Sequence, residues 1–153
     1  GGGKDVIMKI LFVCTGNTCR SPMAEGITRV LATECGLDVQ VVSAGLFAAY
    51  GAKPTEEAVI AVQSITDISS HESRPLTMEL VNTADLIIGM TADHKSVLLR
   101  QFPFDEAKIK TLAEWGYGTG DVSDPFGSSQ EVYNECAEQI YNLVKAGLSS
   151  IKE

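Results

Sequence analysis

Positive charge is scarce in this chain. Twelve Lys and Arg stand against 20 Asp and Glu among 153 residues, for a formal net charge of −8. An acidic chain makes a poor partner for nucleic acid, whose phosphates need a basic face. No apolar run approaches the ~20 residues that cross a bilayer, so no membrane partner is expected. No signal peptide is visible, and no Gly-x4-Gly-Lys-Ser/Thr string occurs to cradle a nucleotide. Cysteine is limited to Cys14, Cys19, Cys35 and Cys136, with no Cys-x2-Cys pair, and the two histidines, His71 and His94, lie far apart. That spacing offers no zinc site, and neither metal nor cofactor is expected. A length and core of this size favour reduced cysteines and a cytoplasmic setting over a disulfide framework. From Leu112 to Val144 there is no Lys or Arg at all, which reads as a solvated acidic face.

What is present is one domain's worth of apolar sequence, 44% of the chain, with no linker or internal repeat. The domain is expected to span residues 8–153, with Gly1 to Ile7 a remnant ahead of a native start at Met8. Strands are expected at Met8–Val13, Val39–Ala44, Asp85–Met90 and Lys108–Leu112. Helices are expected at Met23–Cys35, Pro54–Ile65, Thr77–Asn82 and Thr91–Gln101, and a last one begins after Ser128 or Ser129. Its apolar stripe is Val132, Tyr133, Cys136, Ile140, Val144 and Leu148. Strands alternate with helices throughout, which predicts an α/β fold: one three-layer domain, a parallel sheet with helices on both faces. Cys35 and Cys136 fall on helices and are expected in the core. His94 is expected at the surface and is given no role. The residues leave the oligomeric state open.

One stretch carries chemistry. Ile10-Leu11-Phe12-Val13 reads as a buried strand, Pro22-Met23-Ala24-Glu25 as the start of a helix, and Cys14-Thr15-Gly16-Asn17-Thr18-Cys19-Arg20-Ser21 joins them. A loop between a parallel strand and a helix can turn several backbone N–H groups onto one point, and the helix dipole adds positive charge there. Cys14 supplies a nucleophile and Arg20 a planar fork of donors that fits phosphate oxygens. The same field is expected to lower the Cys14 thiol pKa, with Ser21 donating a hydrogen bond to the sulfur. Attack on a phosphoryl group also needs an acid for the leaving group and a base for the water. Asp124, in Asp124-Pro125-Phe126 within the long polar loop from Ala113 to Ser128, is the candidate for both, and Asp121 is the alternative.

The text from Val13 to Glu25, Val-Cys-x-Gly-Asn-x-Cys-Arg-Ser-Pro-x-Ala-Glu, resembles the low-molecular-weight protein tyrosine phosphatase family. The resemblance implies a flavodoxin-like, four-stranded sheet in the order 2-1-3-4, and a protein phosphatase that works through a phosphocysteine. By it, Cys14, Arg20 and Asp124 are catalytic, and Thr15, Gly16, Asn17, Thr18, Cys19, Arg20 and Ser21 form the phosphate-binding loop. Asn17, Ser43 and His71 buttress that loop. Cys19 is a redox partner for Cys14, able to form a reversible disulfide that protects it. Members acting on phosphotyrosine usually carry a bulky aliphatic residue where Thr18 stands, and two aromatics after Asp-Pro, where Phe126 is followed here by Gly127. Both departures resemble the bacterial protein arginine phosphatase branch. Thr18, Phe47 and Phe126 are the expected selectivity residues, the two rings sandwiching a guanidinium.

The expected partners are phosphorylated proteins, phosphoarginine ahead of phosphotyrosine. Two other readings weigh less. Arsenate reduction on this fold needs relay cysteines after the third strand, and Leu76 to Gln101 has none. A non-catalytic, redox-responsive phosphate-binding module would have no use for the full set of Cys14, Arg20, Ser21 and Asp124.

Overall fold

The computed structural model describes residues 8–152, so the expected remnant at residues 1–7 lies outside the described residues. Four strands form one parallel sheet in the order β2-β1-β3-β4: β1 (Met8–Cys14), β2 (Val39–Gly45), β3 (Leu86–Gly89) and β4 (Ile109–Thr111). The helices are α1 (Arg20–Glu34), α2 (Glu56–Val62), α3 (Met78–Thr83), α4 (Ala92–Gln101), α5 (Leu112–Trp115) and α6 (Gln130–Lys152). The expected sheet order and the single α/β domain are both found.

Side chains of a strand alternate between faces. Ile10, Phe12 and Cys14 therefore point to one side, where they pack with α1, α2 and α6. Leu11 and Val13 point to the other and meet Val81 of α3 and Leu98 of α4. β1 is covered on both faces and paired on both edges, which is why its residues Ile10 to Val13 are fully buried. The Phe12 ring meets Trp115 edge-on, centroids 6.3 Å apart, tying the centre of the sheet to α5.

Several boundaries differ from expectation, each for a local reason. The helix α1 starts at Arg20 rather than Met23, so the loop residue Arg20 is already helical. A 3-10 segment, Pro103–Lys108, precedes β4. The stretch expected to be a long loop opens with α5, closed by a capping box: the Thr111 hydroxyl accepts from the Glu114 N–H at 3.0 Å, and the Glu114 carboxylate accepts from the Thr111 N–H at 2.8 Å. Cys35 is exposed, because α1 ends at Glu34 just before the helical phase of Ile27 and Leu31 would bury it. Val132 is also exposed, one residue out of phase with the buried Tyr133 and Cys136 on α6.

Candidate active site

The carboxyl end of β1 lies between β2 and β3, at the point where the strand order reverses. That is the crevice where open parallel sheets bind ligands. The loop from Cys14 to Arg20 curls around a cavity of about 230 Å³ there. Its walls are Cys14, Thr15, Gly16, Asn17, Thr18, Cys19 and Arg20 of the loop, with Asp124 and Phe126 across from them. The cavity thus joins two stretches that lie more than 100 residues apart in sequence, and it carries one cation, Arg20, and one anion, Asp124.

The loop is held from below by a chain of hydrogen bonds that run in one direction. Asn17, fully buried, takes the left-handed backbone at φ 58° that amide side chains tolerate. Its Nδ2 donates to Ser21 Oγ at 2.8 Å and to Ser43 Oγ at 3.0 Å. Ser43 in turn donates to Glu25 Oε1 at 2.6 Å, and Glu25 is paired with Arg29. The Arg74 N–H donates to Asn17 Oδ1 at 3.0 Å, and His71 Nε2 donates to the Asn17 carbonyl at 2.9 Å. Asn17, Ser43 and His71 therefore meet beneath the loop. Gly45 closes the same network: a Cβ there would stand 2.5 Å from the Thr15 carbonyl oxygen, so only glycine lets β2 approach the loop.

Cys14 sits at the cavity floor, 2% exposed, with its Sγ 2.8 Å from Ser21 Oγ. Ser21 Oγ already accepts from Asn17, which leaves its own proton for the sulfur. The expected fall in the Cys14 pKa is corrected here. Burial is the largest influence and pushes the thiol up, while Ser21, the Arg20 charge and the Asn17 N–H pull it back without overturning it. The Ser21 hydroxyl is the strongest of the opposing influences, so Ser21→Ala should raise the thiol pKa further. A hydrogen bond to a charged group contributes roughly 1.5–3 kcal/mol, so kcat at neutral pH should fall about 10- to 100-fold. The pH profile of Cys14 alkylation should move to higher pH, and an unmoved profile would remove Ser21 from the site.

Arg20 is buried, and its Nη1 donates to the Val122 carbonyl at 3.0 Å. Its other terminal nitrogen, Nη2, stands 3.8 Å from Asp124 Oδ2. Asp124 is itself half-exposed and braces its turn by accepting the Phe126 N–H at 3.1 Å. Asp121 is occupied elsewhere: its Oδ1 accepts from the Ala92 N–H at 2.9 Å, at the start of α4. Of the two carboxylates, Asp124 alone lines the cavity.

Cys19 is buried, with the Tyr133 hydroxyl 3.4 Å and Thr55 Oγ1 3.7 Å from its sulfur. Burial, followed by the Cys19 contact, pushes the Tyr133 phenol up to about 12, so it keeps its proton. Cys136 is pushed up to about 12 by burial, which makes it an unreactive core thiol. Phe126 borders the cavity. Phe47 does not: its N–H donates to the Thr15 carbonyl at 2.9 Å, but its ring is 85% exposed and stands off the wall. The expected sandwich of Phe47 and Phe126 is therefore half formed. No group of three or more His, Cys, Asp or Glu among the described residues could hold a metal, and no helix among them is long and apolar enough to cross a membrane.

His94 is the residue that sequence reasoning misplaced. It is buried on α4, with Nε2 3.0 Å from Thr15 Oγ1. Burial and then the Arg20 charge lower its pKa from 6.5 to about 4, against the pull of Asp93, Asp121 and Asp124. Between those values the unfolded chain takes up a proton that the folded chain refuses. Stability is therefore full above pH 6.5 and falls as pH drops towards 4, by on the order of 2 kcal/mol at this partly screened site. Urea denaturation across that window should show the decline, and His94→Gln should flatten it.

The comparisons agree with this geometry. The model of the family described as low molecular weight phosphotyrosine protein phosphatase matches residues 9–153. The protein-arginine-phosphatase of Bacillus subtilis is 43% identical over 147 residues, covering 95% of this chain and 98% of that one. The low molecular weight protein-tyrosine-phosphatase PtpB of Staphylococcus epidermidis is 34% identical, covering 90% and 94%. Among solved structures, a YwlE arginine phosphatase bearing a cysteine-to-serine mutation and a phosphorylated active-site serine superposes with a TM-score of 0.91. It is 42% identical, with 95% of this chain and 97% of that chain covered. With its loop, its sheet order and its full-length matches all in accord, the chain belongs to the low-molecular-weight phosphotyrosine protein phosphatase family.

Proposed function

We propose that this chain hydrolyses phosphoarginine in proteins through a phosphocysteine formed on Cys14. The observation that carries the proposal is the single cavity whose floor is Cys14 and whose walls hold both Arg20 and Asp124. The thiolate form of Cys14, a minority of the raised-pKa thiol and held by the Ser21 hydroxyl, attacks phosphorus, and the P–N bond breaks. Its electron pair leaves with the guanidine nitrogen, which takes a proton from Asp124. Water then attacks the phosphocysteine, and the S–P electron pair returns to sulfur. Asp124 accepts the water's proton and inorganic phosphate departs. Arg20 and the loop N–H groups hold the equatorial oxygens as their charge builds. The phosphorylated serine in the similar YwlE variant supports a covalent state of this kind. Cys19 borders the same cavity and is assigned the pairing partner of Cys14 under oxidation. All four cysteines are free thiols, in keeping with a reducing, cytoplasmic setting.

The choice of phosphoarginine rests on Thr18 and on the names of the similar arginine phosphatases. Thr18 gives the cavity wall a hydroxyl and one small methyl where an aryl ring would gain from a larger aliphatic group. The test is kcat/KM on a phosphoarginine peptide and a phosphotyrosine peptide side by side. Phosphoarginine should lead by at least about tenfold, and Thr18→Ile should narrow the gap, since one apolar group in a pocket shifts selectivity by roughly 10- to 200-fold. A lead for phosphotyrosine in the wild-type chain would return it to the tyrosine-directed reading.

A further inference from the structure

We propose that His94 is a positioning residue of the phosphate pocket: its Nε2, 3.0 Å from Thr15 Oγ1, fixes the Thr15 hydroxyl so that its proton is presented to a substrate phosphoryl oxygen. The inference rests on the reading that the phosphoryl group binds in the loop from Cys14 to Arg20. Thr15 follows Cys14, lines the cavity and is exposed, so without a partner its hydroxyl would turn freely. His94 Nδ1 is buried and has no hydrogen-bond partner among the described residues. A proton placed there would be a buried donor with no acceptor, which is costly. The proton therefore belongs on Nε2, which donates to Thr15 Oγ1. With that oxygen accepting, the threonine's own hydrogen is left for the cavity.

The backbone around His94 is built to hold this contact. Thr91 caps α4, its Oγ1 accepting the His94 N–H at 3.1 Å, and Asp121 accepts the Ala92 N–H from the same turn. Gly89, at the end of β3, lets that turn come close. A Cβ there would stand 3.0 Å from His94 Cβ and 3.2 Å from the Lys95 nitrogen. Arg20 lies near enough to disfavour a second proton on the ring, which keeps the imidazole neutral and the donor pattern single. An imidazole with one nitrogen unpartnered in the core is a poor way to fill space. Its use here is the other nitrogen.

The test is a double-mutant cycle on kcat/KM with a phosphoarginine peptide, with melting temperatures measured alongside. Thr15→Val and His94→Phe should each lose about tenfold, and the double variant should lose no more than either alone, because both remove one hydrogen bond. His94→Gln, whose amide nitrogen can take the place of Nε2, should keep at least about a third of wild-type activity. Full activity in Thr15→Val, or losses that multiply in the double variant, would overturn the proposal. So would a His94→Gln chain as impaired as His94→Phe. If His94→Phe does not fold, Thr15→Val and His94→Gln decide the matter by the same criteria. Failure of the underlying reading is seen separately, as a wild-type chain no faster on phosphoarginine than Cys14→Ser. The cycle is then run on a phosphotyrosine peptide.

Discussion

Cys14→Ser is expected to lose turnover by roughly 10⁵-fold or more while keeping its affinity for inorganic phosphate. The loss and the retention have different causes. A serine hydroxyl is a far weaker nucleophile than a thiolate. An oxygen is also a poorer leaving group than sulfur when water attacks the phosphorylated side chain. Any phosphoryl group that does reach Ser at this position should therefore stay there. Binding depends instead on Arg20, held by the Val122 carbonyl, and on a loop fixed by Asn17, and none of these touches the substituted atom except through Ser21. Steady-state kinetics and phosphate titration on the same preparation separate the two. A Cys14→Ser chain with more than about a hundredth of wild-type kcat would mean that the chemistry does not pass through the sulfur.

Asp124→Asn is the second large effect, a fall in kcat of about 10²- to 10⁴-fold, the usual worth of a positioned general acid and base. Asparagine keeps the oxygen that accepts the Phe126 N–H, so the turn survives and only the proton chemistry is lost. The two steps can be told apart by the leaving group. A nitrophenolate leaves without a proton, so with nitrophenyl phosphate the variant should still form the phosphoenzyme and then stall before water attacks. With phosphoarginine the first step slows as well. Asp121→Asn should behave differently, since that carboxylate receives the Ala92 N–H at the start of α4 and lies off the cavity wall. An Asp124→Asn chain with unchanged kcat on both substrates would remove Asp124 from the mechanism.

Much of the fold and the site was legible because both are written locally. The loop from Cys14 to Ser21 contains its own nucleophile, its own cation and the residue that turns left-handed, Asn17, so short-range spacing was enough. The alternation of strands and helices carried the parallel sheet. The 3-10 segment at Pro103 and the short helix α5 were lost between longer signals, although Thr111 and Glu114 have the spacing of a capping box. What sequence could not supply was the meeting of distant elements. His94 is buried only because Gly89 lets α4 approach the sheet and because the loop after β1 comes down beside it. The upward push on the Cys14 thiol is a burial effect, and burial is decided by the strands on either side of β1. Phe47 is expected over the cavity as one of two rings sandwiching a guanidinium, whereas its loop turns the residue to solvent.

The most direct test is to mix Asp124→Asn with nitrophenyl phosphate, stop the reaction in denaturant within one turnover, and locate the phosphoryl group by peptide mass spectrometry. The account predicts a stoichiometric phosphoryl group on the Cys14 peptide, cleaved by iodine as an S–P bond is and absent from Cys14→Ser controls stopped at the same time. Product released with no phosphorylated peptide at any time, or a phosphoryl group on any residue other than Cys14, would contradict it.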